Sequence, residues 1–353
     1  MKRIIVTAMA GILAAVGAQA GPKWELEGES WMKVSFLGQV HCSYAENADP
    51  EADVYLRRGR LIISGGVTDG VRFFVETDND NAGKAGSGSS STDIQDAFVD
   101  LRLGPADHWT GDHWLEAGLI LLPFSFENRS SAASLLGIDY NASTIKFVNH
   151  FVWRDYGIEL HGNFGPRVSY CGGVFDGYDD ADGIKSPNAE PRCTGHLAVN
   201  LVGEAETGWF YSQSRLSDDS YLSVGVGGDI QDSATLTETA EGATEEKNSK
   251  AWVVDVQSGF NLGGSFLTLN GAYSDWENAL FAGNTGFVES GLSAGPAMAT
   301  LKYSTQSPDE SDRTTDYTAG LHYHIRGHNA RAGVEYRWGD NDDTALLGIQ
   351  FLL

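Results

Sequence analysis

The strongest constraint on this chain is a period-two alternation of apolar and polar residues that never lengthens into a continuous apolar span. Tyr317, Ala319, Leu321, Tyr323 and Ile325 alternate with Thr318, Gly320, His322 and His324. After Arg326-Gly327-His328-Asn329, the residues Ala330, Ala332, Val334, Tyr336 and Trp338 alternate with Arg331, Gly333, Glu335 and Arg337. One apolar and one polar face is the pattern of a strand with a single apolar side. The two apolar sets have opposite parity, so an even-length link must join them to keep both on one face. A two-residue turn at Gly327-His328 meets that need, with Gly at the first central position of a type II′ turn. The register then pairs Tyr323 with Ala332, Leu321 with Val334 and Tyr317 with Trp338. The aromatic pair falls at the strand ends far from the turn, where an interfacial girdle would lie.

The same alternation recurs along the chain. Trp24, Leu26, Met32, Val34, Phe36 and Val40 hold even positions against Glu25, Glu27, Glu29, Lys33 and Gln39, and Ala345, Leu347, Ile349, Phe351 and Leu353 share one face at the C-terminus. About sixteen strands follow, near 24–44, 53–66, 70–78, 93–103, 113–122, 153–163, 166–176, 194–203, 220–229, 250–260, 264–274, 285–293, 296–304, 315–325, 329–338 and 343–353. Short links (164–165, 261–263, 294–295, 326–328) tend to alternate with long polar ones (79–92, 123–152, 177–193, 230–249). The links 104–112 and 204–219 are longer than that rule wants. An even strand count with alternating short turns and long loops predicts an all-β fold, a transmembrane antiparallel up-and-down barrel. A soluble β-sandwich or a secreted β-helix also alternates, but sixteen strands of one kind exceed what one sandwich holds.

Targeting and charge agree with the barrel. Met1-Lys2-Arg3, an apolar stretch from Ile4 to Val16 and Ala18-Gln19-Ala20 form the pattern of a secretory signal peptide over 1–20, leaving 21–353 as the mature chain. No later run is long enough for a spanning helix, so entry into a membrane requires a closed barrel. The 353 residues carry 24 Lys+Arg against 48 Asp+Glu, a net −24; without Lys2 and Arg3 the balance is 22 against 48, or −26. That excludes a nucleic-acid partner, which would need clustered cations. Of the three cysteines, Cys171 and Cys193 flank a segment that a bridge could close; unpaired thiols are the alternative.

Several stretches together resemble the phosphate- and polyphosphate-selective porins of bacterial outer membranes. They are Leu56-Arg57-Arg58-Gly59-Arg60-Leu61 with Val71-Arg72-Phe73, and Gly118-Leu119-Ile120-Leu121-Leu122-Pro123-Phe124-Ser125-Phe126-Glu127. Arg154-Asp155-Tyr156-Gly157-Ile158, Gly173-Val174-Phe175-Asp176-Gly177, Tyr317-Thr318-Ala319-Gly320-Leu321 and Gln350-Phe351 complete the set. The resemblance spans nearly the whole mature chain. It implies a sixteen-stranded barrel in outer-membrane lipid, usually a homotrimer, with the loop at 123–152 folded into the lumen as a constriction. It implies passive diffusion of small hydrophilic solutes or inorganic ions, with anion or phosphate preference as the sharper form. The family commonly has a lysine where this chain has Leu121, and an aromatic residue where it ends in Leu353.

Parity places Glu25, Glu27 and Glu29 of the first strand, and Arg58, Arg60, Arg72, Asp96, Asp100 and Arg102 of the next ones, on the lumen side. A hairpin centred near Thr68 pairs Arg60 with Glu76 and Arg58 with Asp78. Such a wall reads either as a basic ladder steering anions or as cross-strand pairs that neutralise one another; the acidic balance favours the second. In the inward loop, Ser130 to Leu136 suits a short helical turn, with Glu127, Arg129 and Asp139 setting the local field; an ordinary surface loop is the alternative. No catalytic motif, cofactor motif or zinc spacing is present. His322 and His324 share a face as metal ligands could, but the register sets His324 against Arg331. The other class of function open at this point is a secreted or surface β-rich binding protein without a pore.

Overall fold

The computed structural model describes residues 21–353 except 88–90, 106–110, 142–144, 150, 179–183, 205, 207, 218, 239–243 and 342. The signal-peptide expectation falls on 1–20, outside the described residues. Among the described residues, eighteen strands form one antiparallel sheet. Two are short: β1 (Lys23–Glu25) and β9 (Ile184–Lys185). The other sixteen make the wall: β2 (Trp31–Ala45), β3 (Ala52–Thr68), β4 (Val71–Asp78), β5 (Asp93–Arg102), β6 (His113–Leu121), β7 (Arg154–Phe164), β8 (Val168–Phe175), β10 (Arg192–Val202), β11 (Tyr221–Glu238), β12 (Thr244–Asn261), β13 (Phe266–Glu277), β14 (Ala282–Ala294), β15 (Ala297–Pro308), β16 (Thr314–Arg326), β17 (Ala330–Gly339) and β18 (Thr344–Leu352). Each pairs with its chain neighbours, β8 pairs with β10 across the short β9, and β18 returns to β2 to close the barrel. Among the described residues no helix is long and apolar enough to cross a membrane.

The barrel is inside-out relative to a soluble protein. Leu321 is 64 % exposed on the outer face, whereas Asp100 and Glu159 inside are fully buried. Alternation along each strand produces this, because neighbouring side chains point to opposite faces. In hairpin β16–β17 Tyr323 faces Ala332, Leu321 faces Val334, Tyr317 faces Trp338 and His324 faces Arg331. A turn from Arg326 to Asn329 closes it, with Gly327 at φ 53° and a bulge between His324 and Arg326. Tyr317 stacks on Trp338 at 5.8 Å, and Tyr336 stacks on the same indole at 6.0 Å, forming an outer aromatic band.

Three expectations are corrected, and of the two readings open for the cysteines the unpaired one holds. The first strand is broken: Gly28 at φ 71° reverses the chain, so β1 pairs back onto Trp31–Lys33 and Glu25, Glu27 and Glu29 are exposed rather than on a lumen wall. In β3–β4 a bulge between Gly66 and Thr68 absorbs a residue, and the register runs Ile62 opposite Glu76, two residues from the expected pairing. The 230–249 link is largely strand, since Thr235–Glu238 pairs with Thr244–Lys247 above the main wall. Cys171 and Cys193 are not bridged: all three cysteines are free, with Cys171 buried inside and Cys193 exposed outside.

Candidate functional site

The lumen wall is built from the inward-facing residues of each strand. On β3, Arg60 donates to Glu76 Oε1 at 2.7 Å and to Asp78 Oδ2 at 2.9 Å. Arg58 does not meet Asp78, the partner expected of a hairpin centred near Thr68; it donates to Gln39 at 2.7 Å and to Asp139 at 2.8 Å. Arg72 pairs with Asp100 at 2.6 Å, Arg102 with Asp112 at 3.0 Å and Arg154 with Asp96 at 2.9 Å. Deeper around the ring, Arg192 holds Asp229 at 2.7 Å and His196 meets Asp255 at 2.9 Å. The sequence-predicted wall residues Arg58, Arg60, Arg72, Glu76, Asp96, Asp100 and Arg102 therefore all lie inside, each cation against a carboxylate.

The segment between β6 and β7 crosses this polar interior. Its carbonyls and amides are claimed by side chains from every side of the barrel, as buried backbone requires. Gln39 donates to Ala132 O at 2.9 Å, Gln350 to Ala133 O at 2.8 Å and Arg331 to Leu135 O at 2.6 Å. The Ile138 amide donates to Glu335 at 2.8 Å and the Phe126 amide to Asp255 at 2.8 Å. Arg129 Nη1 donates to both carboxylate oxygens of Glu159 at 2.6 and 2.8 Å, and Glu127 accepts from the Asn141 amide at 2.8 Å. Asp139 is clasped by Arg57 at 2.6 Å and by Arg58 at 2.8 Å. Burial pushes the Asp139 carboxyl up, but the two guanidinium groups outweigh it and hold it well below the usual carboxylate range. The wall makes room with glycines: a side chain at Gly227 would run into the Phe124 carbonyl, and one at Gly348 into Ile138. Between Ser130 and Leu136 the expected helical turn is instead a tight turn closed by Ser134 N to Ser131 O at 3.0 Å.

A second inward segment, described over 208–217 between β10 and β11, is folded in from the opposite rim. Tyr211 and Ser130 form a parallel bridge, with Tyr211 N to Arg129 O at 2.9 Å and Ser131 N to Tyr211 O at 2.8 Å. Gln213 accepts from the Leu136 amide at 3.0 Å and donates to Glu127. Trp209 packs on Phe74 and Phe98 at 5.3 and 5.6 Å and donates to Asp100 at 2.9 Å. Sequence reasoning noted only that this link is too long; the run Trp209-Phe210-Tyr211 was the signal that it is buried. Two spaces flank the joined segments. A cavity of about 500 Å³ at the long-loop rim includes Arg57, Lys84, Lys302 and Arg337 with Asp139, Asp316 and Glu335. Another, of about 370 Å³ at the short-turn rim, includes Ser214, Asn261, Thr268 and His324.

His322 and His324 do face inward, where His322 lies 2.9 Å from Thr300 Oγ1 and His324 lies 3.2 Å from Gly327 O. A different set, Asp100, Glu116 and His161, is the group of metal-capable side chains that lies close together among the described residues.

A closed, inside-out sixteen-strand barrel crossed by an inward loop defines an outer-membrane porin, and the sequence agrees. Residues 35–202 match the model of the family described as phosphate-selective porin O and P, which is the family this porin resembles. Solved structures share the fold at low identity. OmpT of Vibrio cholerae with loop L8 deleted is 11 % identical over 92 % of this chain and 100 % of that one, with a TM-score of 0.61. The anion-selective porin of Comamonas acidovorans is 12 % identical over 92 % and 100 % of the two chains, with a TM-score of 0.57. The outer-membrane channel DcaP of Acinetobacter baumannii is 14 % identical over 95 % and 100 %, with a TM-score of 0.56. Among curated proteins no sequence matches.

Proposed function

We propose that this porin is a weakly selective pathway for small hydrophilic solutes and inorganic ions, and that the 123–152 loop sets its narrowest passage. The observation that carries this reading is the pairing of the lumen cations. Arg58 meets Asp139, Arg60 meets Glu76 and Asp78, Arg72 meets Asp100, and Arg102 meets Asp112. A paired ladder presents dipoles rather than net charge, so it filters by size and only weakly by sign. Glu127, Arg129 and Asp139 act in this scheme by holding the loop across the lumen: Glu127 and Arg129 bind the second inward segment and Glu159, and Asp139 binds β3. The near balance of cations and carboxylates around the outer cavity points the same way.

Reversal potential in a KCl gradient across a planar bilayer tests the reading. The expected permeability ratio lies within about threefold of unity. Strong chloride selectivity with block by millimolar phosphate would replace it with the phosphate preference in the family's description, carried by Arg57, Lys84, Lys302 and Arg337. A homotrimer is the assembly we propose, checked by a compact band in unheated electrophoresis that heating converts to monomer.

A further inference from the structure

The lumen wall carries one cluster whose chemistry the diffusion pathway does not use. Asp100 on β5, Glu116 on β6 and His161 on β7 come together because cross-strand pairing sets Asp100 opposite Glu116 and Glu116 opposite Glu159, with His161 two residues farther along the same face. One donor atom from each lies within 4.8 Å of the others. His161 Nε2 is 3.2 Å from Asp100 Oδ1 and 3.6 Å from Glu116 Oε2. A tetrahedral ion with bonds of about 2.1 Å spaces its donor atoms by about 3.4 Å. The observed separations bracket that value.

Three further observations point to a ligand. Glu116 is 2 % exposed, and its Oε2, facing the imidazole, has no hydrogen-bond partner. A buried carboxylate oxygen without a donor is costly unless a cation neutralises it. The other oxygen of Asp100 is already committed: Oδ2 accepts from Arg72 at 2.6 Å and from Trp209 Nε1 at 2.9 Å, which leaves Oδ1 turned toward His161. This is how partners behind a ligand fix its orientation in metal sites. The neighbouring carboxylates are otherwise occupied, Asp96 by Arg154 and Glu159 by Arg129. Glu116 is the acid left over.

We propose that Asp100, Glu116 and His161 bind a divalent transition-metal ion of the zinc type, with a lumen water completing the tetrahedron. One imidazole and two carboxylates suit such an ion better than calcium or magnesium, which take oxygen ligands. The plainer arrangement is His161 hydrogen-bonded to Asp100 beside Glu116, with no ion between them.

Zinc retained by the refolded, desalted full chain distinguishes them. We expect about one zinc per chain, lost in His161→Gln and in Glu116→Gln, both checked for folding by heat-modifiable mobility. We also expect Trp209→Phe, which removes the indole hydrogen bond behind Asp100 while keeping an aromatic ring beside Phe74, Phe98 and Arg72, to weaken zinc by about tenfold. Wild type that retains no zinc, or variants that retain as much as wild type, would overturn the site. If the histidine variant does not fold, cobalt decides in wild type: an intense visible spectrum is expected of a four-coordinate ion, and a weak six-coordinate one overturns the proposal.

Discussion

Asp139 joins the inward loop to the wall through two guanidinium groups, which makes it the residue on which the loop's position most directly depends. Its depressed pKa fixes the sign of the pH effect. A carboxyl held below its unfolded value of about 3.9 contributes stability above that value and loses it only as pH falls through the lower folded value. The clasp therefore persists in mild acid, and single-channel records at pH 4 are expected to show no more of the large, noisy openings of a released loop than records at pH 7. Asp139→Asn removes the charge at any pH and leaves Arg57 with Asp80 and the buried Arg58 with only the Gln39 amide. Breaking such a pair costs about 3 kcal/mol. Single-channel records of this variant at neutral pH should show larger and noisier openings; unchanged records would mean the clasp does not hold the loop. Glu76→Gln is a separate test. It leaves Arg60 with Asp78 alone, so the reversal potential should move toward chloride, and no movement would show that the wall charge does not reach the ion path.

At the scale of elements, two segments rather than one cross the lumen, and they bind each other along Arg129–Ser131 and Tyr211. Replacing 206–215 by a short glycine turn should raise conductance severalfold while leaving heat-modifiable mobility intact, because the wall strands β10 and β11 remain paired by their own ladder. Gly227→Val should act on the other segment by displacing Phe124 from the wall, read as a change in conductance without loss of the barrel. The hairpin β16–β17 was legible residue by residue because periodicity, turn chemistry and register all pointed to one pairing. The β3–β4 register was not, because the bulge before Thr68 consumes a residue without leaving a mark on the alternation; parity survived, Arg60 still reaches Glu76, and Arg58 changed partner. Arg58 consequently found Asp139, a residue on a loop that no strand pattern could place. The inward course of 204–219 was hidden for a related reason: alternation reports which face a strand residue takes and is silent on where a turn goes.

At the scale of the whole molecule, the environment of the outer wall is what separates a membrane barrel from a secreted β protein. Leu321, Leu301 and Ile158 are 64 %, 61 % and 55 % exposed, a pattern that in water would be an aggregation hazard and in lipid is the source of stability. Leu321 sits mid-strand on β16, with Ala299 and Val334 of the flanking strands as its pairing partners. An arginine there would be placed in hydrocarbon, at a cost of about 2–4 kcal/mol near the bilayer midplane. The adjacent His322 faces the lumen, so His322→Gln exchanges one lumen-facing polar side chain for another and involves no lipid. Urea unfolding in lipid vesicles should therefore separate the two: Leu321→Arg lowers the midpoint clearly, and His322→Gln moves it far less. In a water-exposed wall Leu321→Arg would be neutral or would improve solubility, and that result would remove the bilayer from the account of what holds this barrel together.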